Sequence, residues 1–284
     1  MANLHLDLIR QALAEDGAEA DVTTLCTIPM EQQTQANIIA RQAGVIAGLT
    51  VAVATFRELD QRVSVETLLE DGAVVEPGQV LAHISGSARS VLSAERVALN
   101  FLGHLSGIAT LTAQCVRALE GTEARILDTR KTTPGLRSLE KEAVRLGGGQ
   151  NHRFNLSDGV LIKDNHIRAA GGISQALSLA RRQAPHLLKI EVECETIMEV
   201  QEALEAEADV ILLDNMPVYT VRNAVEFIRS TSPKVLIEAS GSIGTNPITL
   251  AAVAATGVDF ISLGAITHSA PQFDVSLEFN LSFF

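Results

Sequence analysis

The sequence predicts an α/β protein: a mixed α and β first third, then, from Arg125 on, an irregular and incomplete α/β barrel of about six parallel strands. Three observations predict this. From Arg125 short apolar runs alternate with helical stretches, the rhythm of parallel βαβ units. Only six such runs are clear, too few for a complete eight-stranded barrel. Before Arg125 the strand-like pieces are short and broken by turn residues.

The elements follow in order. Residues 4–14 space Leu4, Leu8, Ile9, Ala12 and Leu13 as one face of a helix. Strand-like pieces follow at 36–41 and 45–47. Residues 70–85 place two strand runs around the turn Glu76-Pro77-Gly78-Gln79, where Pro presets φ and Gly permits a positive one, so a β-hairpin is expected. That hairpin also looks like half of a biotinyl or lipoyl carrier domain. A carrier needs an exposed lysine at the tip, and the first lysine of the chain is Lys131, so the plain hairpin is preferred. A long helix is expected over 90–119, with Ala94, Val97, Phe101, Leu105, Ile108 and Thr112 forming its apolar stripe. Gly103 and Gly107 suggest a bend or break in it. The six later strands are read at 125–128, 160–163, 189–193, 209–214, 234–238 and 259–263. Helices are read at 136–146, 173–184, 197–206, 218–229 and 247–255. The tail, 272–284, carries four phenylalanines and is expected to return to the N-terminal sheet as a final strand.

Composition narrows the function. Hydrophobic residues at 46% and charged residues at 20% are ordinary globular usage, so a full core can be buried. With 4% aromatics and no Trp, that core is built from Leu, Ile, Val and Ala. A net charge of −12 disfavours nucleic acid and anionic lipid as partners. One short span opposes the trend: 125–168 holds nine Lys and Arg against five Asp and Glu, an island suited to a small polyanionic ligand. Cys26, Cys115 and Cys194 are odd in number and far apart, and read as reduced core thiols of a cytoplasmic protein rather than a disulfide or zinc framework. The first residues carry acids early and show no apolar signal core, and no run approaches ~18 apolar residues, the length of a membrane span.

The informative feature is what ends each strand. Asp128-Thr129-Arg130-Lys131 ends the first, Lys163-Asp164 the second, Glu193 the third, Asp214 the fourth and Glu238 the fifth, and Gly264 follows the sixth. C-terminal strand ends form the active-site face of α/β barrels. Charges at five successive ends cost desolvation energy unless a ligand needs them. Arg130, Lys131, His152, Arg153 and Lys163 are cationic, whereas Glu193 and Asp214 are acidic. One part of the ligand should therefore be multiply anionic, and another should be a metal ion or sugar hydroxyls. The last two loops, Glu238-Ala239-Ser240-Gly241-Ser242 and Leu263-Gly264-Ala265-Ile266-Thr267, have the small residues that let backbone N–H groups approach a phosphate.

These residues carry a resemblance. The stretch DTRKTTPGLRSLEKEAVRLGGGQNHRFNLSDGVLIKDNHI resembles the signature of quinolinate phosphoribosyltransferases. The likeness extends to ALAEDGAEADVTT, SAERVALNFLGHLSGIATLT, IEVECET, ILLDNM and IEASGSI, and so to nearly the whole chain. It implies an N-terminal α/β sandwich domain, here residues 1–110 joined by the tail 272–284, and a barrel domain at 111–271. It implies transfer of phosphoribosyl from phosphoribosyl pyrophosphate to quinolinate, with loss of CO₂, by a homodimer with shared active sites. Quinolinate would be held by Thr129, Arg130, His152, Arg153 and Lys163, with Arg96 reaching across from the partner chain. Lys131 would face the pyrophosphate, Glu193 and Asp214 the ribose hydroxyls and Mg²⁺, and Ser240, Gly241 and Gly264 the 5-phosphate. Lys131, Lys163, Glu193 and Asp214 are the candidate catalytic residues.

Two departures from the family pattern are visible: Ala20 stands where the family usually has Gly before Asp, and Ser242 where the phosphate loop usually has a second Gly. Bland readings stand beside the sharp one. Arg137, Lys141 and Arg145, near Glu140 and Glu142, suit surface ion pairs. His166 and His268 face a ligand or serve structure. Gly147-Gly148-Gly149 suits a left-handed helix end. Rival functions are a Schiff-base barrel lyase using Lys131 or Lys163, a phosphoribosyltransferase for another pyridine or azole acid, and a molybdate-system accessory protein of the same fold.

Overall fold

A computed structural model of the chain describes residues 2–280. The elements run α1 (Ala2–Asp16), α2 (Val22–Thr27), β1 (Gln33–Ala40), β2 (Gly44–Val45), α3 (Leu49–Leu59), β3 (Ser64–Thr67), β4 (Val74–Val75), β5 (Val80–Ser87), α4 (Ala88–Arg117), β6 (Arg125–Leu127) and α5 (Arg137–Leu146). They continue β7 (Val160–Ile162), α6 (Asp164–Ala170), α7 (Ile173–Gln183), β8 (Ile190–Cys194), α8 (Ile197–Glu205), β9 (Val210–Asp214), α9 (Val218–Thr231), β10 (Leu236–Ser240), α10 (Pro247–Ala254), β11 (Phe260–Ser262), α11 (Ala265–His268) and β12 (Val275–Phe279). Two compact units result: Met1–Leu111 with Thr133–Gly148 and Ala270–Phe284, and Thr112–Thr132 with Gly149–Ser269. The first division falls inside α4. Helix α5, assigned to the barrel domain from sequence, groups with the first unit.

In the first unit an antiparallel sheet runs β12-β1-β5-β3. Register places Ala36 opposite Ile84 and Ile38 opposite Ala82, with Val65 also opposite Ile84. All five are buried, so one face of the sheet is apolar as a layered arrangement requires. The tail does return as a strand: β12 pairs antiparallel with β1, Leu277 opposite Ile38. Its Phe283 and Phe284 lie outside the described residues.

The expected hairpin does not form. The turn is there, with the Gln79 N–H donating to the Glu76 carbonyl and Gly78 at φ 87°. The strands around it part, however: β4 pairs with β2, while β5 pairs with β1 and β3. Ala40 fixes this, because its N–H and carbonyl bond to Gln79 and Gly78 and draw the turn onto the end of β1. Helix α4 is likewise unbroken at its glycines. A Cβ on Gly107 would stand 2.0 Å from the Pro271 carbonyl oxygen, and one on Gly103 would stand 2.9 Å from that of Phe273. Here glycine serves close approach of the chain before β12, and the Gly103 carbonyl accepts the Phe273 N–H at 2.9 Å.

Other details correct the sequence reading. Glu140 and Lys141 are buried rather than on a surface. Glu140 accepts from the Thr133 N–H and pairs with His104 Nε2 at 2.9 Å; Arg145 and Glu142 form an exposed pair of the kind expected for this helix. Cys115 and Cys194 are buried, and burial pushes their thiols up to about 11 and about 12. Cys26 is exposed and not a core thiol. Asp21 caps α2 by accepting the Thr24 N–H at 3.1 Å, and its neighbour Ala20 has no positive φ that would call for glycine. Gly148, at φ 86°, ends α5 in the left-handed turn expected.

In the second unit six parallel strands run β6-β11-β10-β9-β8-β7. Its first and last strands in sequence, β6 and β11, are neighbours; among the described residues no ladder joins β6 to β7, and Gln150 forms an isolated bridge to Leu127. This is the incomplete barrel. Among the described residues no helix is long and apolar enough to cross a membrane.

Gly107→Ala should destabilise the chain by about 3 kcal/mol, as overpacking against fixed backbone does. A urea titration checks this; a midpoint equal to wild type would contradict the close approach of Pro271.

Candidate active site

Strand periodicity assembles the site. Side chains alternate between the two faces of a strand, so residues two apart share one. The ladder pairs Glu193 with Leu212, Leu212 with Glu238, Ser240 with Asp214 and Ser262 with Leu127. These positions therefore share one face, and stepping two residues adds Glu191, Thr129 and Gly264. That face is concave: Glu191 and Glu238, on strands separated by β9, both reach His152 Nε2, at 3.2 and 3.6 Å. The opposite face, with Ile190, Val192, Ile211, Leu213, Ile237 and Ala239, is buried and apolar.

Several of the candidates stand at the C-terminal ends of the strands. Lys163 follows β7 and forms an ion pair with Glu193. His166 Nδ1 accepts the Lys163 N–H at 3.0 Å, so it caps α6 and fixes that main chain. Asp214 ends β9 and accepts a hydrogen bond from Asn215 Nδ2 at 2.7 Å. Ser240 ends β10 and accepts from the Ser262 hydroxyl at 2.9 Å. The Asn215 side chain also holds the next loop, since its Oδ1 accepts from the Ser242 N–H at 2.9 Å and hydroxyl at 3.1 Å. Gly241 is at φ 101°, and a Cβ there would lie 2.4 Å from that same Oδ1. Ser242 has no positive φ, so its departure from glycine leaves the turn intact. A Cβ on Gly264 would meet Lys131 Cδ at 2.9 Å, and the Thr267 hydroxyl donates to the Lys131 carbonyl at 2.8 Å. The Lys131 loop is thus seated on the Gly264 loop. The Thr129 hydroxyl accepts the Lys131 N–H at 3.0 Å.

The Asn151–Arg153 segment is held by a buried acid. Asp128, fully buried, accepts from the His152 N–H at 2.8 Å and from Asn151 Nδ2 at 2.6 Å. His152 Nδ1 accepts the Arg153 N–H at 2.7 Å, and Arg153 Nη1 donates to the Gly159 carbonyl at 3.2 Å. Burial and the nearby charge of Arg130 hold the Arg153 guanidinium below its ordinary pKa, with Glu191 opposing them. Two guanidiniums are thus brought close enough to repel. A dianion between them would relieve that repulsion.

Glu238 corrects the sequence reading. It stands in the middle of β10, 2% exposed, and Ser240 takes the strand end. Glu191, missed from sequence, is buried beside it. Burial and the neighbouring Glu191 charge push the Glu238 carboxyl up to about 8. Burial works against an imidazolium at His152, but the hydrogen bond to Glu191 and the charge of Glu238 outweigh it and raise its pKa. The signal available in the sequence was an acid two residues before Glu193 and two before Ser240, each flanked by Ile, Val or Ala. Among the described residues, His152, Glu191 and Glu238 are the one group of three or more His, Cys, Asp and Glu close enough to share an ion; Glu193 and Asp214 are not in it. Arg96 lies in the first unit, exposed on α4, beside a cleft of about 780 Å³ that it lines with Asn100, His104 and Gln272.

Fold and site define an incomplete α/β barrel with Lys163, Glu193, Asp214 and Ser240 at or near its strand ends. Residues 21–106 match the N-terminal domain of quinolinate phosphoribosyl transferase, and 108–278 match its C-terminal domain. A probable nicotinate-nucleotide pyrophosphorylase (carboxylating) of Bacillus subtilis is 46% identical, covering 97% of this chain and 93% of its own length. The nicotinate-nucleotide pyrophosphorylase (carboxylating) of Mycobacterium leprae is 43% identical, covering 96% of each. The solved structure of the nicotinate-nucleotide pyrophosphorylase from Francisella tularensis superposes with a TM-score of 0.92 at 38% identity, covering 99% of this chain and 97% of that one. The chain belongs to the quinolinate phosphoribosyltransferase family.

Stability should reflect the buried acid. Glu238 ionises near 4.5 in an unfolded chain and near 8 in the folded one. Between these values the folded state holds the extra proton, so this group's contribution falls as pH rises from about 4.5 to about 8 and is level above. Glu238→Gln removes the step. Its Tm minus that of wild type should grow more positive from pH 5 to pH 9; a constant difference would mean an ordinary carboxylate.

Proposed function

We propose that the strand ends of the barrel bind quinolinate and phosphoribosyl pyrophosphate, and that the chain joins them to give nicotinate mononucleotide, CO₂ and pyrophosphate. The observation that carries the reading is the nearness of two like charges, Arg130 and Arg153, in a barrel whose neighbouring strands β8 and β9 carry Glu193 and Asp214.

In this reading Arg130 and Arg153 hold the two substrate carboxylates, with Thr129 and Lys163 beside them. The pyridine nitrogen is thereby aimed at ribose C1, a gain of orientation rather than of chemistry. Lys131, exposed at the mouth and seated on Gly264, neutralises charge on the leaving pyrophosphate. As pyrophosphate departs, the nitrogen bonds to C1 and becomes positive. The adjacent carboxylate leaves as CO₂, its electron pair stays on the ring carbon under that positive nitrogen, and a proton then replaces it. The Lys163–Glu193 pair stands at the strand ends where that proton is needed. Ser240, Gly241 and Gly264 hold the 5-phosphate on loops fixed by Asn215 and Thr267.

Glu193 and Asp214 give an all-oxygen donor set on adjacent strands, the hard ligands that Mg²⁺ prefers, so the residues fit that ion. When bound it would add positive charge beside the pyrophosphate. Arg96, exposed on α4, is assigned to the active site of a partner chain in a homodimer. A cytoplasmic setting accords with three free thiols. The Schiff-base rival gains no support, because Lys163 is half of an ion pair rather than a lysine in an apolar pocket.

Arg153→Ala should lower kcat/KM for quinolinate by ~2–4 kcal/mol equivalent, with the KM for phosphoribosyl pyrophosphate nearly unchanged. Steady-state kinetics with each substrate varied tests this, and equal losses for both would sink the assignment. Arg96→Ala and Lys163→Ala chains, each inactive, should regain partial activity as verified heterodimers; no rescue would count against a shared site.

A further inference from the structure

Nothing in the family signature assigns Glu191 and Glu238 a task, yet both are buried on the concave face of the barrel. Each leaves one carboxylate oxygen, Oε1, buried with no hydrogen-bond partner. Packing alone does not favour such groups, since apolar side chains of similar volume usually serve a core as well or better. Their other oxygens converge on one atom, His152 Nε2.

The histidine is held from three directions. Its N–H donates to Asp128, its Nδ1 accepts the Arg153 N–H at 2.7 Å, and its Nε2 faces Glu191 and Glu238. A nitrogen that accepts an N–H keeps its lone pair, so the proton of the neutral ring sits on Nε2 and points at the carboxylates. This separates two possible uses of the cluster. Its three ligand atoms are close enough to hold a cation. Metal ligation by Nε2 would need the lone pair there and would leave the ring proton on Nδ1, against the Arg153 N–H. Arg153 and Lys189 line the adjoining cavity of about 230 Å³ together with Asp158, Glu191 and Glu238, so its charges do not decide between the two uses and the tautomer does. The hydrogen-bonded arrangement fits the geometry and the metal does not.

We infer that Glu191 and Glu238 are positioning residues for the pyridine dicarboxylate: they clamp His152 through Nε2, and His152 through Nδ1 fixes the Arg153 main chain, so Arg153 meets its substrate carboxylate already aligned. The inference rests on the reading of Arg153 as a quinolinate contact. Glu191 carries most of the effect, being nearer to Nε2. Neither acid touches substrate.

The test is a double-mutant cycle. Glu191→Leu keeps bulk but offers Nε2 no acceptor; Glu191→Gln keeps a carbonyl oxygen. Glu191→Leu should raise the quinolinate KM on the order of 10- to 100-fold, as loss of a group that orients a ligand-binding side chain does, and leave the KM for phosphoribosyl pyrophosphate within about twofold. Glu191→Gln should recover most of the loss. In an Arg153→Ala background Glu191→Leu should add less than about twofold, because both act through one group. A full additional loss in that background, or an equal rise in both KM values, would overturn the inference. Should the leucine variant not fold, ¹⁵N NMR of histidine-labelled wild type at alkaline pH, where the ring is neutral, decides: the Nε2–H tautomer of His152 is expected, and a neutral ring protonated on Nδ1 would overturn the clamp. Stoichiometric Zn²⁺ or Mn²⁺ binding that Glu191→Gln abolishes would overturn it too. Wild type inactive on quinolinate would remove the functional reading, and the NMR result would still judge the clamp.

Discussion

Charge withdrawn from water is the constraint on which the second unit turns. Asp128, Glu191 and Glu238 all lie at or below 8% exposure on or beside the concave face of the sheet. A carboxylate in such a place must be protonated or matched by donors. Asp128 is matched by a main-chain N–H and an asparagine amide, Glu191 by His152 Nε2 at 3.2 Å, and Glu238 faces the same nitrogen at 3.6 Å. All three solutions run through one short segment, Asn151–Arg153. The acids under the barrel thus determine where its cations stand.

That arrangement explains how like charges coexist above them. The charge of Arg130 bears on Arg153 and helps hold its guanidinium below its ordinary pKa. Arg153 is tied by its N–H to His152 and by its guanidinium to the Gly159 carbonyl. A site preorganised in this way does not spend ligand binding energy on ordering its own side chains. The same economy appears across the barrel mouth, where Asn215, itself at φ 53°, ties the loop after β9 to the loop after β10, and Thr267 ties the β11 loop to that of Lys131.

The first unit obeys a different constraint, close approach of backbone. Gly103 and Gly107 lie in the middle of a 30-residue helix, where glycine weakens local helical preference. They do not break it. They admit the segment before β12, whose Phe273 is buried to 1% and whose strand completes the sheet edge against β1. Local propensity and tertiary packing disagree here, and packing prevails because the helix is long enough to absorb two weak positions.

Much of this was legible in the chain. Alternating apolar runs and helical stretches fixed the six parallel strands, and the polar residues that follow those runs marked the site, because a parallel strand must leave its sheet at its C-terminal end. The DTRK, NHR and LIKDNH segments named the family, since no structural element requires basic residues in that order. What no window of sequence could contain was which residues meet. The turn at Glu76–Gln79 read as a hairpin because its strands are locally complementary, yet each found a better partner elsewhere in the fold. Glu238 read as a strand end because a boundary shifts by two residues without altering the pattern. Glu191, Glu238 and His152 come from three separate segments of the chain, and only closure of the sheet brings their side chains within reach. Sequence determined the strands, their faces and the chemistry available; the tertiary structure decided the pairings, because contact between distant residues depends on curvature and register that short-range periodicity does not encode.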